Sequence, residues 1–98
     1  AANQNNLYSQ NFLGYLYLSG YIGGPNIEKA IHFLSLAANQ NHEEAQYKLG
    51  CIYLQGLNGT CDIEKAIHYF KEVSSRNQFA NNNLGVIFKT RKRYFKIY

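Results

Sequence analysis

The sequence contains no run of roughly 18 apolar residues, the length a membrane-spanning helix needs, and no apolar stretch behind a basic N-terminus of the kind that marks a signal peptide. The expected address is therefore cytoplasmic. Cysteine is scarce: Cys51 and Cys61 are too few for a disulfide scaffold and lack the C-x-x-C spacing of a zinc or redox motif. They are expected to be free thiols in a reducing compartment. A phosphate-cradling loop is also missing, since the glycines at 20, 23 and 24 lack a preceding strand and a following Lys-Ser/Thr pair.

What is there is enough for one domain. The chain has 98 residues, 46% of them hydrophobic and 16% charged, a globular composition at the length of a single folded unit. The net charge of +4 is unevenly placed: residues 1–88 hold five cations and all six acids, whereas 89–98 carry Lys89, Arg91, Lys92, Arg93 and Lys96 with no acid. The basic balance therefore belongs to the C-terminal segment rather than to the body.

The chain repeats itself. Ile27-Glu28-Lys29-Ala30-Ile31-His32 recurs 36 positions later as Ile63-Glu64-Lys65-Ala66-Ile67-His68, and Leu-Gly pairs stand at 13–14, 49–50 and 84–85. Tyr17/Tyr53 and Gly20/Gly56 keep the same offset, as does Ala1–Asn5 against Ala37–Asn41. The last match places residues 1–5 at the end of a preceding unit, so the chain reads as part of a longer array.

Within each unit the apolar spacing is helical. Ile27, Ala30, Ile31, Leu34 and Ala38 form one stripe, and Ile63, Ala66, Ile67, Phe70 and Val73 a second; both belong to the second helix of a pair, called helix B. Asn26 and Asp62 stand where N-caps would accept unpaired backbone N–H groups, and Glu28 and Glu64 suit the positive helix end. Helix A of each pair carries Leu13, Leu16 and Tyr17, then Ala45, Leu49, Ile52 and Tyr53, then Ala80, Leu84, Ile87 and Phe88. Gly14, Gly50 and Gly85 lie inside these helices, where glycine costs about 1 kcal/mol against alanine; their recurrence predicts a helix–helix approach too close for a side chain. Gly20 and Gly56 end helix A, and Asn41 and Asn77 are expected to end helix B as residues tolerant of positive φ.

These residues resemble the Sel-one-like repeat family, relatives of the tetratricopeptide repeat. The family pattern runs A-x-x-x-L-G-x-x-Y-x-x-G, a loop, D-x-x-K-A-x-x-Y, then A-A. One copy is matched by Ala45, Leu49, Gly50, Tyr53, Gly56, Asp62, Lys65, Ala66 and Tyr69; the other by Leu13, Gly14, Tyr17, Gly20, Lys29, Ala30, Phe33, Ala37 and Ala38, with Ser9 and Asn26 replacing the usual Ala and Asp. A plain tetratricopeptide array has a period of about 34 and a tighter turn between its helices. The resemblance implies an all-α fold, an α-solenoid of stacked antiparallel helix pairs. The units would be residues 7–41, 42–77 and the first helix of a third, 78–88, followed by a basic, aromatic tail at 89–98. That tail is expected to form a degenerate capping helix with Tyr94, Phe95 and Tyr98 packed inward; a phosphate-binding patch and a nuclear-import address are the alternatives.

Catalytic readings find little support. His32 and His68 are equivalent positions one unit apart, but two imidazoles without a further carboxylate or thiolate make a poor zinc site, and His42 lies alone in a turn. Cys51 has no visible base or oxyanion site. Glu43 and Glu44 open a helix A, where the dipole explains them, and no carboxylate pair sits in an apolar setting that would raise a pKa. The formal glycosylation sequon at 58–60 is without meaning in a cytosolic chain. No catalysis, metal or cofactor is expected.

What remains is surface. In arrays of this kind the A helices line a concave groove, and the resemblance places Tyr8, Asn11, Tyr15, Leu18 and Ser19 there from the first unit, Glu44, Tyr47, Cys51, Leu54 and Gln55 from the second, and Phe79, Asn82, Val86 and Lys89 from the third. Tyrosine joins an apolar body to a polar tip and asparagine can pair with a backbone, which suits recognition of a peptide or protein. The expected function is thus a scaffold or adaptor segment, with no small-molecule substrate. An RNA-binding helical repeat is the alternative; against it, only Lys29/Lys65 recur as cations, each beside a glutamate. On this reading Tyr47→Ala should weaken binding and leave helicity intact.

Overall fold

The computed structural model describes residues 4–21 and 23–97, with side chains described for 6–21 and 23–90. Five helices follow one another: α1 (Gln4–Ser19), α2 (Ile27–Ala38), α3 (Glu43–Gln55), α4 (Ile63–Val73) and α5 (Gln78–Ile97), with no strand among the described residues. The architecture is an all-α solenoid of helix pairs, α1/α2 and α3/α4, with α5 as the next A helix.

Local chemistry sets the helix ends. The side chain of Asn26 accepts a hydrogen bond from the Lys29 N–H at 3.0 Å, and Asp62 does the same for Lys65 at 3.1 Å. Each cap thereby satisfies a backbone donor that the first helical turn leaves open. Helices α1 and α3 stop at Gly20 and Gly56, whose φ values of +85° and +68° favour a residue without a Cβ. The returning loops are fastened alike: the Asn26 N–H donates to Tyr17 O at 2.9 Å and the Asp62 N–H to Tyr53 O at 3.0 Å.

Packing repeats with the sequence. Gln10 meets Gln40, Gly14 meets Leu34 and Tyr17 meets Phe33, an order that descends along α2 as it ascends along α1, so the pair is antiparallel. A Cβ on Gly14 would fall 2.6 Å from Leu34 Cγ, and one on Gly50 2.6 Å from Phe70 Cε1. Neither leaves room for alanine. Beyond each notch a three-part stack recurs. Tyr17 lies parallel to Phe33 at 5.7 Å with Lys29 Nζ 5.4 Å from its ring centre; Tyr53 lies parallel to Tyr69 at 5.9 Å with Lys65 Nζ at 5.0 Å. The Tyr, Lys and aromatic positions of the motif are thus one contact, combining ring burial with cation–π attraction.

The core runs across the pairs, through Leu34, Leu49, Ile52, Phe70 and Val73, and small residues at Ala37, Ala38, Ala45 and Ala80 let neighbouring helices approach. Burying a side chain such as Leu34 or Phe70 contributes about 1.5–3 kcal/mol. Gln46 is the polar member of this interior: its amide donates to Ala38 O at 3.3 Å and to Glu72 Oε2 at 2.9 Å, tying α2, α3 and α4 together.

Three boundaries differ from expectation. Asn41 does adopt positive φ, 63°, but Asn77 does not; its side chain instead accepts from the Ala80 N–H at 3.0 Å and caps α5, because α4 already ends at Val73. Gln4 and Asn5 belong to α1 rather than to the end of an earlier helix; residues 1–3 lie outside the described residues. Helix α5 does not stop near Phe88. Arg91 stands where Gly20 and Gly56 make their turns, and the helix continues to Ile97; the inward packing expected of Tyr94, Phe95 and Tyr98 lies outside the described residues.

Candidate functional site

The A helices α1 and α3 run side by side in parallel, since Tyr8 meets His42, Asn11 meets Glu44 and Tyr15 meets Lys48 in ascending order. Between them lies an open cleft of about 570 Å³. Its α1 wall is aromatic. Tyr8, Phe12 and Tyr15 fall at i, i+4 and i+7 on one helical face and are 60%, 58% and 40% exposed. Apolar residues surround α1 on all sides, so burying Leu7 and Leu18 against the core leaves these three rings outside.

The α3 wall is polar. Lys48 Nζ lies 2.9 Å from Glu44 Oε1, one helical turn away, and 5.1 Å from the centre of the Tyr15 ring. That ammonium holds the Glu44 carboxyl below its usual range. Asn11 forms the floor: it is only 7% exposed, and its Nδ2 donates to Glu44 Oε2 at 3.2 Å, bridging the helices. Its Oδ1 is buried with no hydrogen-bond partner among the described residues, a state that costs about 1–3 kcal/mol.

Of the groove residues expected from sequence, Tyr8, Asn11, Tyr15 and Glu44 come together here. The others do not. Tyr47 is half-buried, its ring 5.9 Å from Phe70 and 6.4 Å from Phe79, so it packs the core as well as the surface. Cys51 is half-buried beside it; burial pushes its thiol up, more than the neighbouring Tyr47 hydroxyl draws it down. Gln55 is exposed at the last turn of α3, and Asn82 is exposed on α5, by a separate hollow. Leu18 and Leu54 pack against the core. Phe12 and Lys48 were missed, though the spacing of Phe12 from Tyr8 and Tyr15 is legible as one aromatic stripe.

The remaining chemistry-bearing groups stay dispersed. Both cysteines are free, and the Cys61 thiol lies 3.2 Å from Leu54 O, an exposed contact. His68 Nε2 does have a carboxylate at 3.0 Å, from Glu72 one turn on, a contact the motif alone did not suggest. Among the described residues no three histidine, cysteine or acidic side chains gather as a metal site would require. No helix there is long and apolar enough to cross a membrane.

The duplicated glycine notches, the Tyr–Lys–aromatic stacks and the capped returns are features of one unit written twice. The family model for the Sel1 repeat matches residues 7–42 and again 43–76. The chain belongs to the Sel1 repeat family. Sel1 repeats are generally protein-interaction modules and typically non-catalytic scaffolds. No curated protein and no solved structure matches this Sel1 chain at a significant level.

Proposed function

We propose that this Sel1 segment is a non-catalytic adaptor that binds a peptide or protein partner on the concave face of its A helices, centred on the α1/α3 cleft. The observation that carries the reading is the exposed stripe Tyr8, Phe12 and Tyr15 beside a polar wall in which Glu44 and Lys48 already satisfy one another. Exposed aromatics supply apolar area with few rotatable bonds, which suits a binding surface more than a monomer's exterior. The partner would lay an apolar or aromatic side chain along the stripe. Two free thiols are compatible with a cytoplasmic setting, and the unit would act within a longer array.

RNA is disfavoured by the same wall. Lys48 is the cation of the cleft, and it is held by Glu44 at 2.9 Å rather than presented to a phosphate. The test is selection of linear peptides from a random phage-displayed library against the chain, followed by affinity measurement with the Tyr8→Ala/Phe12→Ala/Tyr15→Ala triple variant. Loss of affinity by about tenfold or more, with an unchanged far-UV circular dichroism spectrum, is the expected result. Peptides that bind the triple variant as tightly as the original chain would reject the cleft.

A further inference from the structure

Helix α5 repeats the A-helix register of α3 without what covers it. Ala80, Leu84 and Ile87 are buried, as are their counterparts Ala45, Leu49 and Ile52. Asn81, Gly85 and Phe88 are exposed, whereas their counterparts Gln46, Gly50 and Tyr53 are buried under α4. A Cβ on Gly85 would meet nothing within 4 Å, although the same notch on Gly14 receives Leu34 and on Gly50 receives Phe70. Phe88 is 43% exposed against 8% for Tyr53. Among the described residues no ring stacks on it; Lys71 Nζ lies 5.9 Å from its centre. A hollow of about 690 Å³ opens over Asn82, Gly85, Val86 and Phe88.

We propose that this Asn81/Gly85/Phe88 face is a docking site for an acidic amphipathic α-helix from another polypeptide, seated on α5 as α2 sits on α1 and α4 on α3. The two filled notches define the occupant. Both covering helices present an aromatic residue followed by a bulky apolar one, Phe33-Leu34 and Tyr69-Phe70: the first stacks on the A-helix tyrosine and the second fills the glycine notch. An occupant of α5 carries the same pair, its ring on Phe88 and its bulky neighbour over Gly85.

Within the described residues the backbone does not turn back to supply this helix. Folding back a helix B needs a turn at the position of Gly20 and Gly56, and Arg91 stands there instead. α5 runs on to Ile97, carrying the chain about 1.5 Å per residue further from the notch. Charge sets the sign of the partner. Lys71 and Lys89 flank the hollow, exposed, and the same helix continues through Arg91, Lys92, Arg93 and Lys96 with no acid. An occupant rich in Asp and Glu meets this field favourably.

The probe is a fluorescein-labelled, hydrocarbon-stapled peptide with the sequence of residues 62–75, made acidic by His68→Glu and Lys71→Glu; a basic control carries His68→Lys and Glu72→Lys. Binding to the full chain is read by fluorescence anisotropy. The acidic peptide should bind, weaken with added salt, and exceed the basic control by about tenfold or more. Gly85→Leu, which fills open space and so leaves the fold intact, should lower affinity about tenfold, and Phe88→Ala should lower it independently. The Tyr8→Ala/Phe12→Ala/Tyr15→Ala variant should bind this peptide unchanged, which separates the α5 face from the α1/α3 cleft. Absence of binding, equal binding of both peptides, or indifference to Gly85→Leu and Phe88→Ala overturns the proposal. So does sedimentation showing a dimer that Gly85→Leu abolishes, since the occupant would then be a second copy of this chain.

Discussion

Gly50 lies against the edge of Phe70, with the position of its missing Cβ 2.6 Å from Phe70 Cε1. Phe70 is fully buried and cannot swing aside into solvent, so the glycine fixes how closely α3 and α4 pack. Gly50→Ala should destabilise the chain by about 1–3 kcal/mol, and Gly50→Leu by more, because a packed core resists added volume. Gly85→Ala is the contrasting case. Its Cβ meets nothing, and alanine gains up to about 1 kcal/mol of helix propensity. Thermal unfolding followed at 222 nm should therefore move down for the first site and up for the second.

The caps should behave as a set. Asn26→Ala and Asp62→Ala each remove an acceptor at about 3 Å from a backbone N–H, a loss of about 0.5–2 kcal/mol apiece. Asn77→Ala should cost a similar amount, since Asn77 caps α5. Urea unfolding of the three single variants measures this, and an unaffected Asn77→Ala would remove its capping role.

Tyr47→Ala should lower stability as well as alter the surface, by about 1–2 kcal/mol for a partly buried ring. Tyr8→Ala, at a residue 60% exposed, should leave the melting midpoint nearly unchanged. The pair of melts decides which tyrosines serve as clean probes of binding.

The two thiols should differ in reactivity. Cys61 is exposed, whereas Cys51 is half-buried with its thiol pushed up by that burial, so less of it is thiolate near neutral pH. Timed iodoacetamide treatment with peptide mass mapping should find Cys61 alkylated first. Faster modification of Cys51 would overturn that order.

Glu44 should give a small acid-side dependence of stability. Lys48 lowers its folded pKa below the ordinary 4.5, so the folded chain binds fewer protons than the unfolded one there, and stability rises with pH. The contribution is complete above 4.5 and lost as pH falls through the lowered folded value. Because the Glu44 side chain is 60% exposed, solvent screening limits the effect to about a few tenths of a kcal/mol. Urea midpoints across that range should fall less steeply for Glu44→Gln.

The periodic features were legible because each is enforced within a few residues or by exact recurrence. The helix pairs, both caps, the glycine turns at 20 and 56 and the interior glycines follow from a motif written twice. The candidate site was half legible. The resemblance put Tyr8, Asn11, Tyr15 and Glu44 on one groove, but it does not say that Asn11 is already engaged with Glu44. Nor does it say that Tyr47 is drawn toward Phe70 and Phe79; those facts depend on neighbours well beyond the reach of one helix, 23, 32 and 33 positions away. Asn77 misled for a related reason, since asparagine serves both as a positive-φ terminator and as an N-cap, and the end of α4 at Val73 decided between them.

By itself the sequence determined the two complete helix pairs, the glycine turns that end their A helices and that one unit is copied, since spacing, caps and glycines act over short stretches of chain. Only the tertiary structure decided which faces are spent. Gly14, Gly50 and Gly85 are the same letter in the same motif, yet two are filled and one is open. The difference lies in whether another helix lies across them, and close packing between distant segments is set in space rather than along the chain.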